Sequence, residues 1–454
     1  TKIGENAYYG CAAIESFTVA PENTAYAAFD GCLYSKDLST LYLVPQTKEA
    51  VTFADGVRTV AAGAFYKSQV RSVVVPATVT TIEQGAFAGV LRLEELTVPF
   101  IGGSATNTDT DYMMYIFGGT VSKSDSIQAD GTYSYNTGSR SCTPTSLRKL
   151  TVSGDISFLG EFAFAYLTEV TEIHWNGDIT YIDDYAFCQT GLTELVVPST
   201  VTRIGDFAFA AMRDLVSDVV PGAVGGNLGL YLFRECPSLE TVVFEEGVTR
   251  IPAYAFYLVG SKDSETGDTF YYSKLDSVTL PSTIRSIGEA AFAYAGTRYI
   301  GEGSTYGNLK FILPAASDLR VIEKNAFYRA SVKSLTLPAC FEEIGEMAFF
   351  GCRNLAHVTF GTEDGGSALR KFGGASFAYC TGLLDIPIWK DIKSPSDVPV
   401  MEYYTVTTTT ENVSFNVFAG ASVPSIYVRS AATYRAAEHW DEYDAKIYEI
   451  SSTR

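Results

Sequence analysis

LTELVVPSTVTRIGDFAF, residues 192–209, decides how this chain folds. Leu192, Leu195 and Val197 alternate with Glu194 and Val196, the period of two that sends successive strand side chains to opposite faces. The inward set continues through Val201, Ile204, Ala208 and Phe209. Close copies of the second half recur as VTTIEQGAF (79–87), ITYIDDYAF (179–187), VTRIPAYAF (248–256), IRSIGEAAF (284–292), LRVIEKNAF (319–327) and FEEIGEMAF (341–349). Weaker copies end at Phe65, Phe164 and Phe377. Strand-like stretches ending in Pro punctuate them: SVVVP (72–76), ELTVP (95–99), SVTLP (277–281) and SLTLP (334–338). The marker aromatics stand 22 residues apart from Phe65 to Phe87, Phe187 to Phe209 and Phe327 to Phe349, and 23 apart from Phe233 to Phe256.

One such unit has no second layer against which to bury its apolar side. Only a neighbouring unit, stacked one strand spacing of roughly 4.8 Å away, can cover it. The pattern therefore predicts about 14 stacked coils, with the aromatic ring filling each coil and the small Ala before it letting the turn pack close. Pro at the strand end fits, because the chain leaves the ladder where its missing N–H is not needed.

These residues resemble the BspA-like leucine-rich repeat family, whose units read approximately V-T-x-I-x-x-x-A-F-x-x-C-x-x-L-x-x-V-x-x-P. DGCLYSKDL (30–38) resembles that family's D-G-V-L-Y-S-K-D hairpin, with Cys32 in place of Val. SIYV (425–428), YRAAEHW (434–440) and residues 447–450 resemble its C-terminal capping strand and short helix. The resemblance implies an α/β repeat solenoid: a right-handed leucine-rich-repeat superhelix of ~22–23-residue coils. A parallel β-sheet lies on one face, irregular or short helical turns lie opposite, and a cap closes the C-terminus. The solenoid is expected over 1–424 and the cap over 425–454. The resemblance further implies a cell-surface or secreted protein of anaerobic gut or oral bacteria, with adhesive or protein-binding roles.

Insertions individualise the chain, near 118–144, 260–273, 296–308 and 389–413. The first three leave the coil just before the strand, and insertions of this kind map to one face, often the binding face. They carry Tyr133 and Tyr135, then Tyr271 and Tyr272, then Tyr299 and Tyr306. Either these rings recognise a protein or sugar with little entropic loss, or they fold back over their own coils. The fourth insertion, with its Thr run 405–410, reads as a hairpin or loop beside the cap. A second candidate surface is the outward strand column Val74, Thr97, Thr151, His174, Val196, Val243, Thr279, Ile312, Thr336 and Thr359. It is either strand propensity alone or a shallow ligand face, and His174, Thr279 and Thr336 are its candidate contacts.

Composition narrows the partners. The 454 residues are 46% hydrophobic and 19% charged, which is globular, and 33 basic against 52 acidic residues leave a net charge of −19. Such a field repels phosphate backbones and anionic headgroups, so no nucleic-acid partner is expected. No run approaches the roughly 20 apolar residues of a spanning helix, so no membrane insertion by this segment is expected. Thr1 opens the chain in mid-pattern, which reads as a processed or trimmed start with any signal or anchor removed.

Catalytic motifs are missing. The three histidines sit in none, and G-x-S-x-G, Walker and H-E-x-x-H patterns do not occur. His174 and His357 read as outward strand residues and His439 as part of the cap. Cys11, Cys236, Cys352 and Cys380 share one repeat position, three residues after the marker aromatic, and read as small buried core residues rather than ligands. Asp183-Asp184 and Glu342-Glu343 read as a solvated face, and Asp109 with Asp111 is a weak Ca²⁺ signal. The expectation is a non-enzymatic protein with no cofactor and no metal. Its partner is a protein ligand on a host or bacterial surface; the alternatives are a glycan-binding module using the Tyr-rich loops, or a structural spacer in a larger surface protein.

Overall fold

The computed structural model describes residues 8, 11–106, 111–121, 143–258, 261–262, 269–270, 272–297, 307–407 and 412–450. They form two compact units, Thr1–Thr193 and Glu194–Arg454.

The first unit opens with an antiparallel hairpin, Tyr26–Phe29 against Cys32–Ser35, with Phe29 opposite Cys32. Its two turn residues, Asp30 (φ 49°) and Gly31 (φ 69°), are both left-handed, as the twist of a two-residue hairpin requires. Thr40–Leu43 extends the hairpin and then begins a parallel ladder with Thr59–Val60 and Thr81–Ile82. Beside it runs the main ladder, Ser72–Val74, Glu95–Val98, Lys149–Asp155 and Glu172–Asn176, all parallel.

The second unit repeats the plan. Glu194–Val196, Ser217–Val220, Thr241–Phe244, Ser277–Thr279 and Lys310–Ile312 form one parallel sheet. A bridge from Leu309 to Val332 leads to a second sheet, Ser334–Leu337, His357–Phe360, Asp385–Ile388, Ser425–Val428 and Ile447–Glu449. The side expected to hold irregular or helical turns instead carries a second parallel ladder. It is built of two-residue strands, Arg250–Ile251, Ser286–Ile287, Val321–Ile322, Glu343–Ile344, Lys371–Phe372 and Val400–Met401. The first four are the x-Ile pairs of the V-T-x-I half-motif, with Phe372 and Met401 in the place of Ile in the last two, and all are too short to show a period of their own. Ala431–Arg435 is the one α-helix among the described residues.

The core is a pile of rings. In the second unit Phe209, Phe233, Phe256, Phe292, Phe327, Phe349 and Phe377 follow one another with centroids 4.9–5.4 Å apart. All seven are buried, and each is worth roughly 2–3 kcal/mol of apolar transfer. The weaker-copy aromatics Phe65 and Phe164 are buried in the same role in the first unit. The backbone binds the turns together as well: the N–H of Phe327 donates to the carbonyl of Ala348 in the next coil, and that of Phe233 to Ala255. Pro opens each following turn, its carbonyl accepting from three residues on, as in Val79 to Pro76 and Val201 to Pro198.

The residue two before the marker Phe is left-handed in coil after coil, whatever its type: Gly85, Phe162, Tyr185, Phe207, Tyr231, Tyr254, Ala290, Asn325 and Met347. A bulky residue there costs on the order of 1–2 kcal/mol. Where it is aromatic, stacking offsets the strain: Phe162 on Tyr185 at 4.8 Å, and Phe207 on Tyr231 on Tyr254 at 4.5 and 4.8 Å.

Two expectations need revision. Cys236, Cys352 and Cys380 are buried, but Cys11 is exposed, because its marker is Tyr8 in the opening turn rather than a stacked Phe. The insertion near 389–413 is also not one excursion. Val400–Met401 belongs to the second ladder, and the loop proper is the hairpin Tyr404–Thr407 with Asn412–Phe415. The 260–273 insertion contains the antiparallel pair Ser261–Lys262 and Thr269–Phe270. Most of the 118–144 and 296–308 insertions lies outside the described residues.

Candidate ligand face

The outward side of the main strands is a set of columns in strict register. In the first unit Val74, Thr97, Thr151 and His174 are direct partners along the ladder. Val74 is 64% exposed and His174 is exposed too, its Nε2 3.5 Å from Glu172 Oε2. The outward column one step back is Ser72, Glu95, Lys149 and Glu172, with Glu172 3.8 Å from Lys149, and just before these strands Arg71 lies 2.6 Å from Glu94. Ion pairs in such exposed positions contribute little to stability, so the face is available for other contacts.

In the second unit the column runs Val196, Val219, Val243, Thr279, Ile312. Val196 is 81% exposed and Ile312 50%, and Val219 and Val243 are also exposed. Further along, Thr336 pairs with Thr359, Pro387 with Tyr427, and Tyr427 with Tyr448. The neighbouring column is polar: Ser334, His357, Asp385 and Ser425, with His357 Nδ1 2.9 Å from Asp385 Oδ2.

Sequence reasoning placed His174, Thr279 and Thr336 on these columns, and that is where they lie; Thr279 is half-buried. It missed Val219, Tyr427 and Tyr448. The signal for Val219 was hidden because its neighbour Asp218 takes the inward place that Leu195 and Val242 fill in the flanking strands. Asp218 is buried, its Oδ1 accepts the N–H of Val219 at 2.7 Å, and its Oδ2 has no partner. Burial pushes its carboxyl up to about 7, and the Val219 hydrogen bond only partly opposes this. Tyr427 was legible as an alternating position of SIYV.

The loop tyrosines fare differently. Tyr272 is described and is 51% exposed, but Tyr133, Tyr135, Tyr271, Tyr299 and Tyr306 lie outside the described residues. The carboxylate pairs are not simply solvated: Glu342 lies 2.7 Å from Arg320 and 3.6 Å from Arg370, and Glu343 lies 3.1 Å from Lys371. Among the described residues no three His, Cys, Asp or Glu gather as a metal site. No described helix is long and apolar enough to cross a membrane.

Two parallel ladders per coil, a phenylalanine pile and a 22-residue period define a leucine-rich repeat protein. The chain belongs to the BspA type leucine rich repeat family, whose model matches residues 1–105, 136–261 and 266–398 in six copies. No curated protein matches it. Among solved structures it is similar to a leucine-rich repeat protein from Bacteroides ovatus ATCC 8483, at 17% identity over 82% of this chain and 94% of that one, with a TM-score of 0.31. It is also similar to a leucine rich cell surface protein from Faecalibacterium prausnitzii A2-165, at 19% identity over 82% and 97%, with a TM-score of 0.34. A third is the pneumococcal vaccine antigen PcpA, at 16% identity over 97% and 100%, with a TM-score of 0.29. At these values the assignment rests on the repeat match and on the ladders themselves.

Proposed function

We propose that this chain is a non-enzymatic binding protein, secreted or held at a bacterial surface, that takes a protein ligand on the outward face of its main strands. The observation that supports this is the row Val196, Val219 and Val243, three exposed aliphatic side chains on adjoining strands, with exposed Ile312 beyond the half-buried Thr279. An exposed apolar row costs solvation free energy when left bare, and such rows mark interaction sites. The strands bearing Val219 and Val243 are paired on both sides, so that part of the face is presented rigidly and little order is lost on binding. The net charge of −19 disfavours nucleic acid.

A glycan reading is favoured by one feature, the exposed ring of Tyr272 at the edge of an insertion. One screen separates the two. The intact chain, a Val196→Glu/Val219→Glu variant and a variant lacking residues 118–144 are presented to extracellular-matrix proteins and to a glycan array. A protein hit abolished by the double substitution and kept by the deletion supports the strand face. A hit kept by the double substitution overturns it.

A further inference from the structure

Asp218 is the one polar residue in the inward column Leu195, Asp218, Val242, Val278 and Phe311 beneath the proposed ligand face. Its side chain points inward from Ser217–Val220, between Leu195 on one flanking strand and Val242 on the other. It is 3% exposed, and one carboxyl oxygen has no partner at all. Charged and titratable groups of the elements packed around it do not compensate it. Glu194, Glu240 and Glu245 stand on the solvent side at the ends of the flanking strands, and Arg213 and Asp214 are exposed in the preceding turn. Arg234 and Cys236 are buried in the turn of the same coil, and Cys236 donates instead to the carbonyl of Phe209. A carboxylate enclosed by apolar groups without a cation is held neutral or lets water in.

The next residue in the chain is Val219, the middle of the exposed aliphatic row. The two are joined twice, by the peptide bond and by the hydrogen bond from the Val219 N–H to Asp218 Oδ1. We propose that Asp218 is an acid-stabilised latch beneath the ligand face, folded in as the neutral acid, whose ionisation loosens strand Ser217–Val220 and so weakens the face as pH rises. This rests on the strand-face reading for its functional meaning, though not for its physical content.

The linkage has a definite sign. The folded carboxyl titrates at about 7, above the roughly 3.9 of an unfolded Asp. The stability it contributes is therefore fully present below about pH 4 and is lost as pH rises through about 7. Amide exchange of the 216–220 segment, divided by the intrinsic rate at each pH, reads this without any ligand. Between about pH 5 and pH 8 the opening of this segment should increase roughly thirty- to a hundredfold. In Asp218→Asn and Asp218→Val the same segment should show a flat profile. Asp218→Val restores the aliphatic type of the flanking strands and guards against a variant that fails to fold. A flat profile in the unsubstituted protein, or an equal rise in Asp218→Val, overturns the latch and leaves the strand-face reading untouched. Conversely, a binding screen that moves the ligand elsewhere leaves the exchange profile standing.

Discussion

The thiol of Cys352 donates to the carbonyl oxygen of Phe327, one coil earlier, across 2.9 Å. Cys380 does the same to Phe349 at 2.9 Å, and Cys236 to Phe209 at 3.1 Å. The cysteine of the repeat thus adds a donor to the marker carbonyl, which at Phe327 and Phe349 already accepts a turn N–H from Ala330 and Cys352, and it packs as a small apolar group while doing so.

Thiol reactivity should divide along that line. Burial, reinforced by the neighbouring Cys380, raises the Cys352 thiol well above its ordinary value, and burial pushes Cys32 up to about 12. Thiolates are the reactive form, so neither should be alkylated in the folded protein. Cys11 is exposed and should react. Mass spectrometry after brief maleimide treatment, with and without denaturant, checks this; labelling of Cys352 at the rate of Cys11 would contradict the buried assignment.

The ring pile predicts a large and local loss. Phe349 is fully buried between Phe327 at 5.0 Å and Phe377 at 5.2 Å, its ring nearly parallel to both. Phe349→Ala should lower unfolding stability by about 3–5 kcal/mol, read by denaturant titration. The loss should appear first in exchange of the adjoining coils, because repeat stability is a sum of nearest-neighbour terms.

Two substitutions at one repeat position should act in opposite directions. A Cβ on Gly85 would meet only ordinary contacts at 3.6 Å, yet φ there is +70°. Gly85→Ala should therefore cost about 1 kcal/mol through backbone strain alone. Asn325 has φ 56° and an unpartnered Oδ1. Asn325→Gly relieves both at the expense of greater freedom in the unfolded chain, and its midpoint should match or exceed that of the unsubstituted protein.

Acid should act on the opening hairpin through Asp37. Its carboxyl is lowered to about 2 by the Ser35 hydroxyl and then by the hydroxyl and N–H of Ser39. A depressed carboxyl contributes stability above its unfolded value that is lost as pH falls through the folded one. The unsubstituted protein should thus lose its advantage over Asp37→Asn between about pH 4 and pH 2, measured as the difference in thermal midpoint.

Residues 425–450 are proposed to cap the sheet. Ile447–Glu449 is its last strand, and the guanidinium of Arg435 donates to the carbonyl of Ile447 while Arg435 Nε lies 2.8 Å from Asp444. An edge carbonyl occupied in this way is closed to another strand. Arg435→Glu should shift the protein toward concentration-dependent association in analytical ultracentrifugation; a monomer at every concentration would leave the edge protected by something else.

The fold was legible to the extent that side chains repeated it. Phe209, Phe349 and the Leu/Val pairs before each Pro declare their burial through spacing alone. The second ladder did not, because its two-residue strands are defined by backbone bonds to neighbouring coils, such as Glu343 to Lys371, and not by an alternation within either segment. Val219 was obscured for a related reason: Asp218 breaks the inward pattern, so the strand ceased to look like one. The outward columns were half visible, with His174, Thr279 and Thr336 placed on them and the aliphatic row around Val196 only partly traced. The loop tyrosines had no periodic neighbours from which to infer a direction.

Because Phe327 and Phe349 occupy equivalent places 22 residues apart, the chain can change length only in certain steps. Excising 323–344 joins Ile322 to Gly345 as Ile344 is joined now, and every later ring keeps its seat. Excising half as many residues would seat polar side chains where rings belong. Heredity working on this molecule thus meets a discrete lattice: in-frame duplication or loss of a whole period is nearly silent to folding, while it adds or removes one rung of the outward row. The length of that outward row can then be tuned one coil at a time.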